Sequence, residues 1–267
     1  MTETMDPFPR NELEYALSQA ASDAASRSVF FKLVLGSRIF AIGHAPDSPA
    51  DQPFRIAAGD TLSLEHWTGA DGQTYIPFFT SLDALQQSVE RQVSYLAILG
   101  RELFDSTRGK SLILNPGQPH GHAFSPRDIE RLLATGDVAP VAAQPHDATP
   151  PVEIGQPKDY PVALIEGLTR LFARHGAIRR AYIALMKDSS TDRPFSLLLG
   201  LDLDGELDLQ STGLGHVTAD HAPDGLPVDI LVLSETEDGP SRYFREQAQP
   251  FYERRWGQRL MAFFVRP

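Results

Sequence analysis

The sequence predicts an α+β protein of two mixed domains joined by a Pro-rich linker. Helix-period stretches and β-rich runs follow one another without the regular alternation of a doubly wound sheet. From Asp137 to Tyr160, DVAPVAAQPHDATPPVEIGQPKDY, prolines recur and periodicity disappears, which marks a boundary. The chain has 267 residues, 42% of them hydrophobic, enough to bury a core on each side of that boundary. The expected division is 1–136, a linker over 137–158, and 159–267.

Asn11 to Arg27 is rich in Ala, Glu, Leu and Gln behind a capping Asn11 and reads as a helix. VFFKLVL and RIFAIG, joined at Gly36-Ser37, read as a hairpin because β-branched and aromatic residues favour a pleated surface. TLSLEHW and QTYIPFF, joined through Gly69 to Gly72, read as a second hairpin. Thr80 or Ser81 then caps the helix SLDALQQSVERQ, with Asp83 near the positive end of its dipole. YLAIL is a short apolar run, RELFDSTR one or two helical turns, and SLILN a strand. Ser125 at N-cap and Pro126 at N1 open the helix RDIERLLA, which Gly136 stops.

Beyond the boundary, Val162, Ile165, Leu168, Leu171 and Phe172 recur at helical spacing, with Gly176 as the expected C-cap. AIRRAYIALM and PFSLLLGLDL read as strands separated by the polar turn Lys187 to Arg193. Gly205 to Asp220 fits strand or helix and leans to helix, and PVDILVL is a strand by its β-branched content. A short helix, a loop and an apolar segment are expected in the tail.

Composition excludes several classes of function. A net charge of −11 and a pI near 5.1 oppose a sequence-independent grip on nucleic acid, which needs cations to displace counterions from phosphates. Without cysteine there are no disulfides, thiolate metal sites or cysteine nucleophile, a usage that fits the cytoplasm. MTETMDPFPR lacks the basic and apolar regions of a secretory signal. Apolar runs such as FSLLLGL are far shorter than the roughly 20 residues that span a bilayer, so no membrane partner is expected.

The candidates for chemistry are few. His120 and His122 are two apart, so in an extended chain they point the same way and could share a metal, with His44 or Asp128 as a third ligand. They also sit among Pro116, Gly117, Pro119 and Gly121, which favour a plain turn. Asn115-Pro116-Gly117 could present N–H groups to an anion; alternatively Asn115 ends the strand, Pro116 fixes φ and Gly117 takes a positive φ. Asp202, Asp204, Glu206 and Asp208 surround Gly205 as in a calcium loop, but the glycine comes too early, and a strand ending in an Asp-Gly turn explains them. His-Ala-Pro-Asp occurs at His44 and again at His221, in unrelated flanks. No nucleophile elbow, Walker or dinucleotide fingerprint is present. Charge is segregated: no Lys or Arg lies between Arg193 and Arg242, an acidic block that an Arg-rich tail follows. Pro250 to Trp256, PFYERRW, mixes aromatics with arginine as interface centres do, and as packed terminal segments also do.

Taken together, YIPFFTSLDALQ, SLILNPGQPHGHAFSPRDIERLL, IGQPKDYPVALIEGLTRLF, RRAYIALM and PFYERRW resemble the SseB family, described by the phrase enhanced serine sensitivity. The first two are similar to its N-terminal domain and the last three to its C-terminal domain. The resemblance implies a bacterial cytosolic protein of two α+β domains without an established activity, catalytic residues or cofactor. The leading expectation is a non-enzymatic adaptor or regulator with a protein partner. Its interaction surface is expected among Phe79, Thr80 and Ser81, Asn115, Pro116 and Gly117, or Phe251, Tyr252, Arg254, Arg255 and Trp256. A metal-assisted hydrolase at His120 and His122, and a cytosolic protein neutralising a basic effector or toxin, are the alternatives, and a homo-oligomer is compatible with each.

Overall fold

The computed structural model describes residues 11–44, 62–139, 153–187, 195–209, 212–223, 226–234 and 239–254. The chain divides into two compact units, Met1–Val138 and Ala139–Pro267. Each combines helices with a mixed sheet, the α+β class.

The first unit opens with α1 (Glu12–Ser22), a 3-10 turn (Ala24–Ser26) and α2 (Arg27–Gly36). Its strands are β1 (Arg38–His44), β2 (Ser63–Leu64), β3 (Trp67–Thr68) and β4 (Thr74–Phe79). There follow α3 (Leu82–Ser88), β5 (Tyr95–Leu99), α4 (Gly100–Ser106), β6 (Leu112–Leu114), β7 (His122–Phe124) and α5 (Pro126–Thr135). The sheet runs β2-β1-β4-β6-β7, with β5 on β1 and β3 on β4. β4 and β6 are parallel, and the other pairs are antiparallel.

The expected hairpin at Gly36-Ser37 is corrected: VFFKLVL is helical, in α2, and only RIFAIG enters the sheet. Phe30, Phe31, Val34 and Leu35 are buried while Val29 is 63% exposed, a helical stripe whose burial outweighs local strand preference. The first helix is likewise shorter than expected. It ends at Ser22, because Asp23 turns extended and caps the 3-10 turn through Ala25 N–H.

The second hairpin forms, pairing Trp67 with Tyr75 and Thr68 with Thr74. Asp71 holds its turn, accepting from Tyr75 Oη at 2.7 Å and from Gln73 N–H at 3.0 Å. The Tyr75 hydroxyl, then the Gln73 amide, keep this carboxyl below the ordinary 3.8. A depressed carboxyl stabilises above the unfolded value and loses that contribution as pH falls through the folded one. Nuclear magnetic resonance titration should therefore place the Asp71 midpoint below 3.8, and Tyr75→Phe should move it back toward that value. An unshifted midpoint in the intact chain would contradict this.

α5 follows its sequence signals closely. Ser125 and Asp128 form a capping box behind Pro126, and Gly136 closes the helix at φ 79°. Past it, buried Asp137 accepts a hydrogen bond from Ser28 of α2.

The second unit contains β8 (Glu153–Gly155), α6 (Val162–Phe172), β9 (Ile178–Lys187) and β10 (Phe195–Leu203). It continues through α7 (Leu214–His221), β11 (Val228–Val232), α8 (Gly239–Glu246) and β12 (Tyr252–Glu253). Its sheet runs β11-β10-β9-β12 with β8 on β9. The long β9–β10 pair is the backbone of the unit, and the polar turn expected between them lies largely outside the described residues. Glu153–Gly155, inside the proline-rich stretch, is an edge strand of this sheet. Gly205 to Asp220 resolves into an Asp-Gly turn and then helix α7.

Gly176 does not cap α6. That helix stops at Phe172, and its exit is closed by Arg174 and His175 N–H bonds to the carbonyls of Leu171 and Phe172. Phe244 of α8 packs on Tyr182, Ala184, Met186 and Leu198. It presses so closely on the sheet that a Cβ at Gly200 would lie 2.8 Å from its ring. Among the described residues no helix is long and apolar enough to cross a membrane.

Candidate functional site

One buried polar network ties three segments of the first unit together. Asn11 caps α1 by accepting from Glu14 N–H at 2.9 Å, and its amide donates to the Thr80 carbonyl at 3.2 Å. The Glu14 carboxylate, on a residue only 2% exposed, accepts from the hydroxyls of Thr80 at 3.0 Å and Ser81 at 2.7 Å. Asn115 is fully buried; its Oδ1 accepts from Thr80 N–H at 3.0 Å and its Nδ2 donates to Thr80 Oγ1 at 3.0 Å. A carboxylate is tolerable in such a place only because hydrogen bonds replace its water. Ser81 also caps α3, accepting from Ala84 N–H at 3.1 Å.

The network fixes the loop after β6. Asn115 takes φ 46° and Gly117 φ 79°, with Gln118 N–H donating to the Asn115 carbonyl at 3.2 Å. Gln118 Nε2 reaches the Ala84 carbonyl of α3 at 2.7 Å, and Ser88 Oγ donates to the Pro116 carbonyl at 3.3 Å. Beside the network opens a cleft of about 480 Å³, lined by Asn11, Glu12, Leu13, Ser37, Arg38, Phe40 and the stretch Thr80 to Asp83. Its floor is partly apolar, and its rim carries one guanidinium and two carboxylates.

The structure thus brings Phe79, Thr80 and Ser81 together with Asn115, Pro116 and Gly117. It turns the side chains of Phe79, Thr80 and Asn115 inward, so they hold the loop and leave the exposed surface to Gly117, Pro116 and the cleft rim. Sequence reasoning passed over Glu14, although its signal was there: a carboxylate on the apolar stripe that Leu13, Leu17 and Ala20 define.

His122 begins β7 and packs edge-on against Phe124 at 4.6 Å and Phe31 at 5.4 Å, so a plain turn does not describe it. Among the described residues no three His, Cys, Asp or Glu side chains gather where they could hold a metal ion. Asp128, the nearby third ligand considered, is engaged in its capping box. That box also takes the Asp128 and Ser125 N–H groups an anion would need.

In the second unit, Phe251 stacks on Phe172 at 6.1 Å, and the Tyr252 hydroxyl donates to the Phe172 carbonyl at 3.1 Å. Burial raises the Tyr252 phenol above its ordinary pKa. Arg254 pairs with Asp204 at 2.7 Å, and Arg179 pairs with Asp202 at 2.7 Å. Two carboxylates of the suspected calcium loop are therefore ion-paired with the chain's own arginines. Arg255 and Trp256 lie outside the described residues.

Residues 13–131 match the model of the SseB protein N-terminal domain, and residues 147–254 that of the SseB protein C-terminal domain. The chain is 35% identical over 255 residues to Protein SseB of Escherichia coli (strain K12), covering 95% of this chain and 96% of that protein. The chain belongs to the SseB family. Protein SseB of Shigella flexneri matches at the same identity and coverage. No solved structure matches the chain. Both SseB domain matches fall within the two units of the fold, and the buried network joins Glu14, Thr80, Ser81 and Asn115 of the SseB N-terminal domain.

Proposed function

We propose that this SseB-family chain is a non-enzymatic protein-binding adaptor or regulator linked to serine sensitivity, working in the cytoplasm. Its recognition surface is the cleft beside the buried network. The observation that carries this reading is where the polar groups are spent. The Ser81 hydroxyl donates to Glu14 and accepts from Ala84 N–H, and Thr80 is bonded to both Glu14 and Asn115. These hydroxyls brace the cleft wall, whereas a nucleophile needs its hydroxyl aimed at substrate and paired with a base. Phe40 and Leu82 supply half-buried apolar contact, and Arg38, Glu12 and Asp83 supply a charged rim, the division of an interface into an apolar centre and a polar border.

The test is a photo-crosslinking residue at Asp83 in the full chain, expressed in its own bacterium. One recurrent protein adduct is expected, lost when Arg38→Glu reverses the rim charge. A chain that carries stoichiometric metal, lost on His120→Ala, and yields no adduct would replace this reading with metal-assisted hydrolysis.

A further inference from the structure

We infer that the outer edge of β5 is a self-pairing surface, through which two copies of this chain join their first-unit sheets into one antiparallel sheet. The inference stands apart from the cleft reading and does not need it.

β5 pairs with β1 along one side only, in an unbroken register from Arg38 with Leu99 to Ile42 with Tyr95. Gly43 N–H donates to the Ser94 carbonyl, and Gly100 N–H to the Ser37 carbonyl. Hydrogen-bonded pairs alternate in an antiparallel ladder, so the even-numbered residues of β5 face β1. The N–H and C=O groups of Tyr95 and Ala97 and the N–H of Leu99 therefore point along the sheet to an edge that no described strand covers, while the Leu99 carbonyl, at the N-cap of α4, accepts that helix's first bond. Native edges are usually blunted by a charge, a proline, a bulge or extreme shortness. YLAIL has no charge, no proline and no bulge.

The occupant that fits is a second β5. Ala97 is the middle of the strand, and its small side chain sits where a two-fold axis would bring two copies closest. Rotation about it sets Ala97 against Ala97 and Tyr95 against Leu99, so each Ala97 N–H meets an Ala97 carbonyl and each Leu99 N–H meets a Tyr95 carbonyl, the self-complementarity of a two-fold interface. A one-residue slip would present groups already bonded to β1. The same register covers Tyr95, 43% exposed, with Leu99, 40% exposed, as aromatic and aliphatic cross-strand neighbours. The geometry also places the other copy's Tyr95 beside Leu99 and Arg38, extending one wall of the cleft.

Sedimentation of the full chain tests this with two substitutions. Ala97→Pro removes an outward N–H and leaves the β1 ladder intact, since proline is tolerated at a strand edge. The wild-type chain should sediment as a dimer. Ala97→Pro, with an unchanged circular dichroism spectrum, should weaken it at least about tenfold, because the two-fold axis removes the same bond twice. Ala97→Cys serves if the proline variant fails to fold. Hydrogen-bonded partners lie about 5.5 Å apart at Cα, within disulfide range, and the chain has no other cysteine. Mild oxidation should cross-link Ala97→Cys copies and spare Ser106→Cys copies. A monomer at the highest concentration reached, a dimer unmoved by a folded Ala97→Pro, or equal cross-linking of the two cysteine variants would overturn the inference.

Discussion

Asn115→Ala should destabilise the first unit by about 3 kcal/mol, and most of that loss should come from a group the substitution leaves in place. Thr80 N–H is buried and donates to Asn115 Oδ1, so alanine strands it without a partner at a cost of roughly 1–3 kcal/mol. Alanine at φ 46° adds about 1 kcal/mol, because asparagine tolerates the left-handed region better than a residue with a plain Cβ. Asn115→Gly separates the two contributions, since glycine adopts that backbone freely while still losing both hydrogen bonds. The measurement is urea unfolding followed by the fluorescence of Trp67, in a Trp256→Phe background so that one indole reports. Alanine should unfold at lower urea than glycine, and both well below the parent chain. A glycine variant as stable as the parent would show that the hydrogen bonds contribute nothing, and the network would lose its role in fixing the loop.

The same residue shows how far the sequence could be read. Asn-Pro-Gly announced a turn, and Asn115 and Gly117 do take positive φ around Pro116. What the local string could not reveal was the partner, because Thr80 lies 35 positions away and meets Asn115 only once β4 and β6 pair in parallel. α5 was legible because its start and stop depend on neighbours within a turn. α2 was misread because the competition between strand preference and helical burial is decided by the core it packs into, with Phe30, Phe31, Val34 and Leu35 all inward. Arg254 was placed in the expected interaction surface, yet the return of the chain beside β9 shows it paired with Asp204.

Gly100→Ala should be the more damaging change, at about 4 kcal/mol, for a reason unrelated to backbone preference. A Cβ at Gly100 would fall 1.9 Å from the Val34 carbonyl oxygen, 2.9 Å from its carbonyl carbon and 3.3 Å from Leu35 Cα. All three are backbone atoms of α2, so no side-chain rotation relieves the overlap. α4 would have to withdraw from α2, taking fully buried Leu103 and Phe104 with it and breaking the Gly100 N–H bond to the Ser37 carbonyl. Overpacking alone costs typically 1–3 kcal/mol, and opening the seam around two large side chains adds to it. Gly36→Ala is the matched control: its added Cβ meets nothing within 4 Å and its φ is not positive, so stability should change by less than about 0.5 kcal/mol. Thermal unfolding of the pair separates a close approach from a general intolerance of the α2 end to added bulk. Equal melting temperatures for the two variants would mean that α4 slides away cheaply, and that the close approach of Gly100 to Val34 does not constrain the fold.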